Sequence, residues 1–370
     1  MTMDIDTRQM LVDSARRWTE QACGAAERRA ASDHESGCHP ERWRALGELG
    51  WLGMALPEKD GGLDAGLPAI CLLAEQLGRA LLVEPFVSSA ILGSGLLAEV
   101  AEGELRREWL PALVTGARRV VWLVWEPDGG RVLNAPSATA IADGTAWRLQ
   151  GDKGLMPGAG GADGLLVTAR MPADADQVGL FLVDPRTSGA RLDSTPLYDG
   201  RHGARLSMAH AQCQLLRKGP AGAMAALLEP ALIRGHVAHC AEILGTAQAA
   251  FEMTLEYVRA RKQFGRALSD NQIIQHRLVD LYVEQQEARA LCLATAAEST
   301  AERAAALGAR VSEVARNTWG EAIQLHGAIG MTEEYALGEY VRRLALAADL
   351  YGSSASHLED LAHLTLDTTA

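Results

Sequence analysis

Three kinds of pattern are missing from this sequence of 370 residues, and each absence excludes a class of protein. The six cysteines are widely spread and form no CxxC pair, so neither a disulfide framework nor a zinc ribbon is expected. No run of about 18 uninterrupted apolar residues occurs, which argues against a membrane span. Met1 is followed by acidic residues and not by a basic and then an apolar segment, so we expect a cytoplasmic protein without a secretory leader.

Positive charge is also in short supply. Lysine and arginine number 35 against 47 aspartates and glutamates, which gives a net charge of −12 at pH 7. Nucleic acids and anionic membranes carry the same sign of charge, so a chain this acidic is not expected to act generally on either. We therefore predict no nucleic-acid partner and no membrane partner.

Motifs of several common site types are absent or incomplete. The GSG at residues 93–95 does not match the GxSxG elbow of a serine nucleophile, which disfavours a hydrolase. The GAGGAD at residues 158–163 has Asp where GxGxxG has its third glycine, so a glycine-rich turn is the better interpretation. His34, Cys38 and His39 lie close together without a second ligand pair, and no metal site is predicted.

The apolar and turn residues that are present indicate the order helix, strand, helix. Residues 1 to about 115 show apolar spacings of three and four, typical of four or five helices. β-branched and aromatic runs bounded by turn residues predict a compact antiparallel β domain, with strands at 120–125, 146–150, 165–169, 178–183 and 204–208. Beyond residue 221 only one proline remains, and the bundle helices predicted there are 231–261, 271–299, 301–326 and 348–365.

The most informative local cluster is RARKQFGR at residues 259–266, with four cations in eight residues. Guanidinium groups beside an exposed ring and a helix-ending glycine are suited to hold a diphosphate while the ring covers a flat group. The alternative is a helix end whose cations only complement the helix dipole. The residues alone leave both interpretations open.

Segments from all parts of the chain resemble the acyl-CoA dehydrogenase family, in the family's order. YVRARKQFGRALSDNQIIQHRLVD at residues 257–280 is similar to its helix ending in R-x-x-FG, followed by a Gln and an L-x-D helix. QLHGAIGMT at residues 324–332 is similar to its QxxGGxGxT turn. WRALGELGWLGMALPEKDGG at residues 43–62 resembles its N-terminal pattern, and GDK at 151–153 with AD at 162–163 resembles its GxK…AD strands.

The resemblance implies an α+β fold in three parts. These are an N-terminal α bundle over residues 1–117, a middle antiparallel β domain over residues 118–218 and a C-terminal four-helix bundle over residues 219–370. It also implies an oxidoreductase that binds FAD across a subunit interface and dehydrogenates an acyl-CoA thioester between Cα and Cβ. Electron-transfer flavoprotein is the expected electron acceptor, and fatty acid or steroid side-chain degradation the expected setting.

The first half of the implied FAD site lies at and after the cationic helix end. By position, Arg261 is expected to contact the diphosphate. Gln263 and Phe264 are expected to flank the flavin of the partner subunit. Leu268 and Gln272 are expected near the adenosine end of the cofactor.

The second half of the implied FAD site lies in the small-residue turn and near the C-terminus. Gln324, Gly327 and Ala328 are expected to close around the diphosphate from another subunit, because unhindered backbone N–H groups suit phosphate oxygens. Ala328 replaces the usual second glycine of the family. Ser354 and Ser356 are expected to direct hydroxyls toward the adenine or ribose.

The middle domain departs further from the family. Relatives carry Trp and Thr after GxK, packing on the isoalloxazine and donating to N5, whereas this chain has Leu155 and Pro157. Proline has neither an N–H nor a hydroxyl, so that hydrogen bond is lost. WEP at residues 125–127 stands where the family usually has TEP.

The catalytic base is missing at both positions where relatives carry it. Removal of the α proton of a thioester needs a carboxylate in a dry pocket. One expected position for that Glu is Gly352, and the other is Gly235. Asp349 and Glu242 are the nearest carboxylates in sequence, and a helix cap and a satisfied polar contact explain them equally well.

Some bacterial relatives are assembled from two unlike subunits, one with the base and one without it. This chain resembles the subunit without it, so an unlike acyl-CoA dehydrogenase subunit or a homo-oligomer is the expected partner. Two alternatives remain open. One is a catalytically silent structural subunit without flavin, and the other is a flavoprotein of the same fold that acts on CoA thioesters without α-proton abstraction.

Overall fold

The computed structural model describes residues 5–366 apart from 129, 145, 173–175, 264, 333 and 334. The chain divides into two compact units. The helical unit comprises the residues up to Ala25, Leu67–Leu82 and the residues from His236 onward. The mixed unit comprises Ala26–Gly66 and Val83–Gly235.

Helices account for most of the described chain at both ends. The α-helices are α1 (Ile5–Ala22), α2 (Ala25–Ser32), α3 (Pro40–Glu48), α4 (Gly66–Arg79), α5 (Ser94–Val100), α6 (Gly103–Val114), α7 (Ala221–Ala260), α8 (Gln272–Ala297), α9 (Ala301–His326), α10 (Leu337–Leu350) and α11 (Ser354–Leu366). A π-helical segment, Phe86–Gly93, precedes α5 and is buried throughout. Among the described residues, no helix has both the length and the apolar character that crossing a membrane requires.

The sheet of the mixed unit closes on itself. Its strands are β1 (Val120–Trp122), β2 (Thr139–Asp143), β3 (Ala146–Pro157), β4 (Gly164–Arg170), β5 (Gln177–Val183), β6 (Ala190–Pro196) and β7 (His202–Pro220). The order β4-β2-β3-β7-β5 returns to β4, while β1 and β6 attach to β4 and β7. The pairings are antiparallel except for those of β1 and β2 with β4. Closure leaves few unpaired strand edges, which suits a small β domain.

The helical unit is built on the apolar faces of its long helices. Val258 of α7, Leu278 and Leu281 of α8 and Leu325 of α9 form one buried cluster at the ends of these helices. α9 begins with a side-chain cap, since Thr300 Oγ1 accepts from the backbone N–H of Arg303 (3.3 Å). The cluster holds together the segments that carry the expected cofactor residues.

These observations confirm the α+β fold class and the order helix, sheet, helix. Several element predictions are wrong in detail. The described part of the N-terminal region forms six α-helices and not four or five, and strands β2 and β6 were not predicted. The strand expected at 120–125 ends at Trp122, and the helix expected at 348–365 is interrupted, because Gly352 has a φ of +115° between α10 and α11.

A buried ion pair stabilises the mixed unit. The ammonium of Lys153 on β3 donates to Glu126, which also accepts from the hydroxyl of Ser137. The Lys153 side chain is fully buried. Burial lowers the pKa of Lys153, while the hydrogen bond to Glu126 favours its charged form. Each charge therefore depends on the other to remain inside the protein.

Replacing Lys153 by methionine tests this dependence. We expect Lys153→Met to lower the free energy of unfolding by about 3 kcal/mol, because it leaves the Glu126 carboxylate buried without its cation. Urea unfolding measures the loss, and Lys218→Met on the exposed part of β7 is the matched control. The double variant E126Q/K153M should recover part of the loss. Equal stability of K153M and K218M would contradict this account.

Candidate cofactor site

The end of α7 turns directly into a short hairpin that carries the predicted cations. The backbone N–H of Arg261 donates to the carbonyl of Tyr257 (2.8 Å) and so continues the last helical turn. Strand β8 (Lys262–Gln263) then pairs antiparallel with β9 (Arg266–Ala267). The N–H of Leu268 donates to the Arg261 carbonyl (2.9 Å) and closes the hairpin. The chain reversal between the strands uses Gly265, whose φ is +80°.

The cations of this hairpin are exposed and are not neutralised by acids. Arg259, Arg261 and Lys262 are exposed, and within the described residues no carboxylate pairs with any of them. Arg266 donates to the side-chain oxygen of Asn271. The negative end of the α7 dipole favours cations here, but it leaves the guanidinium donors of Arg259 and Arg261 available.

The turn after α9 exposes the small residues expected at a diphosphate. Gly327 has φ +68° and ψ −147°, a conformation that residues with a side chain rarely adopt. A Cβ atom built on Gly327 would meet no other atom within 4 Å, so the glycine is required by the backbone and not by crowding. Gln324, Gly327 and Ala328 are exposed, and Ala328 has no positive φ, so alanine fits there without strain.

A stacked ring pair joins the cationic end of α7 to this turn. The rings of Tyr257 and His326 lie 4.2 Å apart between centroids with 24° between their planes. The Tyr257 hydroxyl donates to the His326 carbonyl (3.3 Å). His326 Nδ1 donates to the carbonyl of Ala322 (2.8 Å), which leaves Nε2 to accept from the hydroxyl of Tyr335 (3.3 Å). Burial lowers the pKa of His326, in agreement with a neutral ring.

The structure therefore brings some of the predicted cofactor residues together and leaves others apart. Arg261 and Leu268 lie at the hairpin, joined through Tyr257 to the turn of Gln324, Gly327 and Ala328. Gln263 and Gln272 are exposed on the hairpin and at the start of α8. Phe264 lies outside the described residues.

Ser354 and Ser356 lie elsewhere in the helical unit. They begin α11, and Ser356 is followed by His357, which packs beside Gly308 of α9. Gly308 and Gln324 are sixteen residues apart on one helix, which separates them by roughly 24 Å. The two serines are thus not part of the hairpin and turn surface of the same protomer.

The chemistry of the hairpin and turn fits one part of FAD. Exposed guanidinium groups and an unhindered glycine backbone are the donors that a diphosphate requires. The mixed unit does not fit the flavin ring in the same way. Pro157 is buried at the end of β3 and offers no donor. Leu155 lies beside Gly203, close to Leu197, and a Cβ atom built on Gly203 would be 3.0 Å from Leu155 Cδ1.

Neither expected base position can accept a side chain freely. At Gly352 the φ of +115° disfavours every residue except glycine, and a built Cβ atom would lie 2.9 Å from His357 Cε1. At Gly235 a built Cβ atom would lie 3.0 Å from Leu92 Cδ1. Contacts this short require the neighbouring group to move. A side chain at either position would therefore displace its neighbours, and at Gly352 it would also have to adopt a backbone conformation that favours glycine.

The two weaker acid candidates have structural settings of their own. Glu242 Oε2 lies 3.0 Å from His239 Nδ1, and Glu242 Oε1 accepts from Arg343 Nη1 (3.4 Å), so this carboxylate is engaged inside the helical unit. Asp349 is exposed in the last turn of α10, and its backbone carbonyl accepts from the N–H of Gly352 (3.2 Å). Asp349 is exposed and Glu242 is hydrogen-bonded through both oxygens, so neither is an available carboxylate in a dry pocket, as proton abstraction requires.

Three residues of this region were missed by sequence reasoning. Tyr257 and His326 form the stack that positions the turn, and Tyr335 bonds the same imidazole. The sequence feature that could have identified Tyr257 as part of the site is its position one helical turn before Arg261, on the same face of the helix. Its contact with His326 joins residues 69 positions apart and has no local signature.

Comparison with known proteins identifies two family models in the chain. Residues 5–117 match the model described as acyl-CoA dehydrogenase, N-terminal domain. Residues 225–365 match the model described as acyl-CoA dehydrogenase, C-terminal domain. Among curated proteins, the acyl-CoA dehydrogenase IpdE2 of Mycobacterium tuberculosis is 28% identical over 358 residues, which cover 96% of each chain.

Two solved structures are similar over nearly the whole chain. A variant of the Tcur3481-Tcur3483 steroid ACAD is 30% identical, with a TM-score of 0.88, and the match covers 98% of this chain and 99% of that one. A chain of the ChsE4-ChsE5 complex from Mycobacterium tuberculosis has a TM-score of 0.89 at 22% identity, with coverage of 100% and 99%. The second likeness concerns the fold alone.

Lowering the pH tests the burial of His326 in its stacked contact with Tyr257. Because burial lowers the pKa of His326 in the folded state, the unfolded state binds the proton more readily between the two pKa values. The stability contributed by His326 is then complete above the unfolded value near 6.5 and is lost as the pH falls below it. We expect His326→Phe, which keeps the stacked ring, to lose less unfolding free energy than the wild type between pH 7 and pH 5. Parallel pH profiles of the unfolding free energy for the two proteins would contradict the assignment of His326 as a buried, neutral ring.

Proposed function

Because the chain belongs to the acyl-CoA dehydrogenase family, we propose that it is the base-lacking subunit of an FAD-dependent acyl-CoA dehydrogenase that pairs with an unlike, base-bearing subunit. The observation that carries this proposal is the state of the two base positions. Gly352 and Gly235 hold no carboxylate and have close neighbours where a side chain would begin. The family reaction needs such a carboxylate, so another chain must supply it.

The division of the reaction follows from what each chain offers. The carboxylate of the unlike subunit would take the α proton of the acyl-CoA thioester. FAD, when bound, would supply the acceptor for the hydride from Cβ, and electron-transfer flavoprotein is the proposed acceptor of the electrons. This chain contributes binding and positioning: Arg261 and the Gly327 turn hold the cofactor diphosphate through guanidinium and backbone donors.

The partner subunit would supply the surroundings of the flavin ring, because this chain's own β domain offers no donor at the expected position. Pro157 at the end of β3 has neither an N–H nor a hydroxyl for N5, and Leu155 lies beside Gly203 of β7. Arg259, Arg261 and Gly327, in contrast, are exposed. A shared site, with the diphosphate held by one chain and the ring by another, reconciles both observations.

One similar protein supports a two-chain enzyme in general terms. The relative at 30% identity, the Tcur3481-Tcur3483 steroid ACAD, carries two protein names. The curated relative IpdE2 is named an acyl-CoA dehydrogenase. The acyl-CoA substrate class of the family is therefore the substrate class that we propose for the assembled enzyme.

A second candidate function is a structural subunit that binds no flavin component. Leu155, Pro157 and Gly352 favour it, because all three replace groups that the reaction uses in relatives. The exposed Arg261 favours the shared site instead, because it pairs with no carboxylate of the described residues and its guanidinium donors are available to a diphosphate. The two candidates differ in whether Arg261 matters for activity.

Coexpression and one arginine variant test the proposal. The chain is purified alone and with products of neighbouring dehydrogenase genes, and acyl-CoA oxidation is followed with an artificial electron acceptor. We expect no oxidation by the lone chain and oxidation by the complex. Arg261→Ala should lower the rate of the complex roughly 10- to 100-fold, because one charge-assisted diphosphate contact is lost.

Arg303→Ala, at the exposed start of α9, is the matched control and should leave the rate unchanged. Full activity of the lone chain would overturn the base-lacking assignment. An unchanged rate for R261A in an active complex would overturn the diphosphate assignment and favour the structural subunit.

A further inference from the structure

Two buried imidazoles lie in contact at the centre of the helical unit. His236 of α7 and His357 of α11 are almost fully buried, and their ring centroids are 4.7 Å apart with 41° between the planes. His236 Nε2 lies 3.1 Å from the carbonyl of Ala304 in α9. The pair therefore touches three helices, and the function described so far uses neither ring.

Two glycines from different elements make room for this pair. A Cβ atom built on Gly308 of α9 would lie 2.6 Å from His236 Nε2 and 2.7 Å from His357 Nε2. A Cβ atom built on Gly352 would lie 2.9 Å from His357 Cε1 and 3.0 Å from His357 Nε2. The two distances from Gly308 and the 2.9 Å distance from Gly352 are shorter than real Cβ contacts show, and the 3.0 Å distance is tighter than most of them, so His357 occupies the space between the two glycines.

We infer that His357, packed against His236, and Ser356 close this chain's own base position, so that the chain determines by packing which half of the enzyme can react. The inference rests on the proposed function, because it assigns position 352 as a lost base position. It goes further in stating that the His357 ring and the Ser356 hydroxyl fill the space where a side chain at 352 would begin, since a Cβ atom built there would also lie 2.9 Å from Ser356 Oγ. A carboxylate restored at 352 requires both groups to shift.

The segment around Gly352 is held by contacts on both sides, and these oppose a backbone shift that would relieve the short contacts of a side chain at 352. The N–H of His357 donates to the carbonyl of Ser353 (3.0 Å) at the start of α11. On the other side, the Tyr351 ring lies 4.5 Å from the ring of His239, measured between centroids. His239 Nε2 in turn lies 3.1 Å from the carbonyl of Ala347 in α10. These contacts tie the segment to α7 and α10 and hold His357 in place.

Two glycine variants on one helix test the closure without any activity assay. Glycine to alanine in a helix interior is ordinarily stabilising. Gly320 of α9 has open space at its Cβ position, so Gly320→Ala should raise the thermal unfolding midpoint or leave it within about 2 °C. Gly308→Ala should lower it by about 5 °C or more, because the methyl group meets both imidazoles.

A background without the His357 ring should reduce that difference. We expect Gly308→Ala to cost less in His357→Gly than in the wild-type chain, because one of the two imidazoles that meet the methyl group is gone while His236 remains. A general helix effect does not produce such a coupling. Should G308A prevent folding, recovery of the folded chain in G308A/H357G supports the same conclusion. An equal loss in both backgrounds, or equal midpoints for G308A and G320A, would overturn the closure.

Activity of the restored carboxylate separates this inference from the proposed function. In the complex with the unlike subunit, Gly352→Glu should add no turnover, and H357G/G352E should fold with a higher midpoint than G352E alone. Added turnover from G352E alone would overturn the closure while leaving the base-lacking proposal intact. Activity of the wild-type lone chain would overturn the proposed function itself, whereas the comparison of G308A with G320A on α9 would still test the closure.

Discussion

The stack of Tyr257 on His326 connects the two parts of the proposed cofactor surface. It joins the last turn of α7 to the turn after α9, and the Tyr257 hydroxyl adds a bond to the His326 carbonyl. Together with the apolar cluster of Val258, Leu278, Leu281 and Leu325, this contact places the hairpin cations and the Gly327 turn on one surface of exposed guanidinium and backbone donors. Because the imidazole is partly buried and neutral, its position is set by hydrogen bonds and packing and not by charge.

The two ends of the implied cofactor meet very different surroundings in this chain. The diphosphate donors are retained, as Arg261 and Gly327 show. Around the reacting end, Pro157, Leu155 and the glycines at 352 and 235 stand where relatives carry other groups. Gly352 lies beside His357, and Gly235 lies beside Leu92. On the proposed function, this chain supports chemistry that its partner carries out, which accounts for the difference between the two ends.

Sequence patterns were informative where a local rule determines the structure. The cationic segment at the end of α7 was recognised from residue types, the glycine of the turn after α9 was recognised from the family resemblance, and the order of helices and strands followed from apolar spacing. The wrong predictions have physical causes. Strands β2 and β6 are short and largely exposed, so neither has a continuous buried apolar run, and the break at Gly352 depends on one glycine with a positive φ. The Tyr257–His326 and His236–His357 contacts depend on tertiary packing, which no local pattern encodes. The three-domain boundaries and the individual cofactor contacts remain predictions.

The content of flavin per chain in the purified complex tests the central claim most directly. The flavin released on denaturation is quantified by absorbance and divided by the amounts of the two unlike chains. A cofactor whose diphosphate is held by this chain and whose ring lies in the partner predicts one FAD for each pair of unlike chains, and none for this chain alone. One FAD for every chain, or a flavin retained by this chain in isolation, would contradict the account.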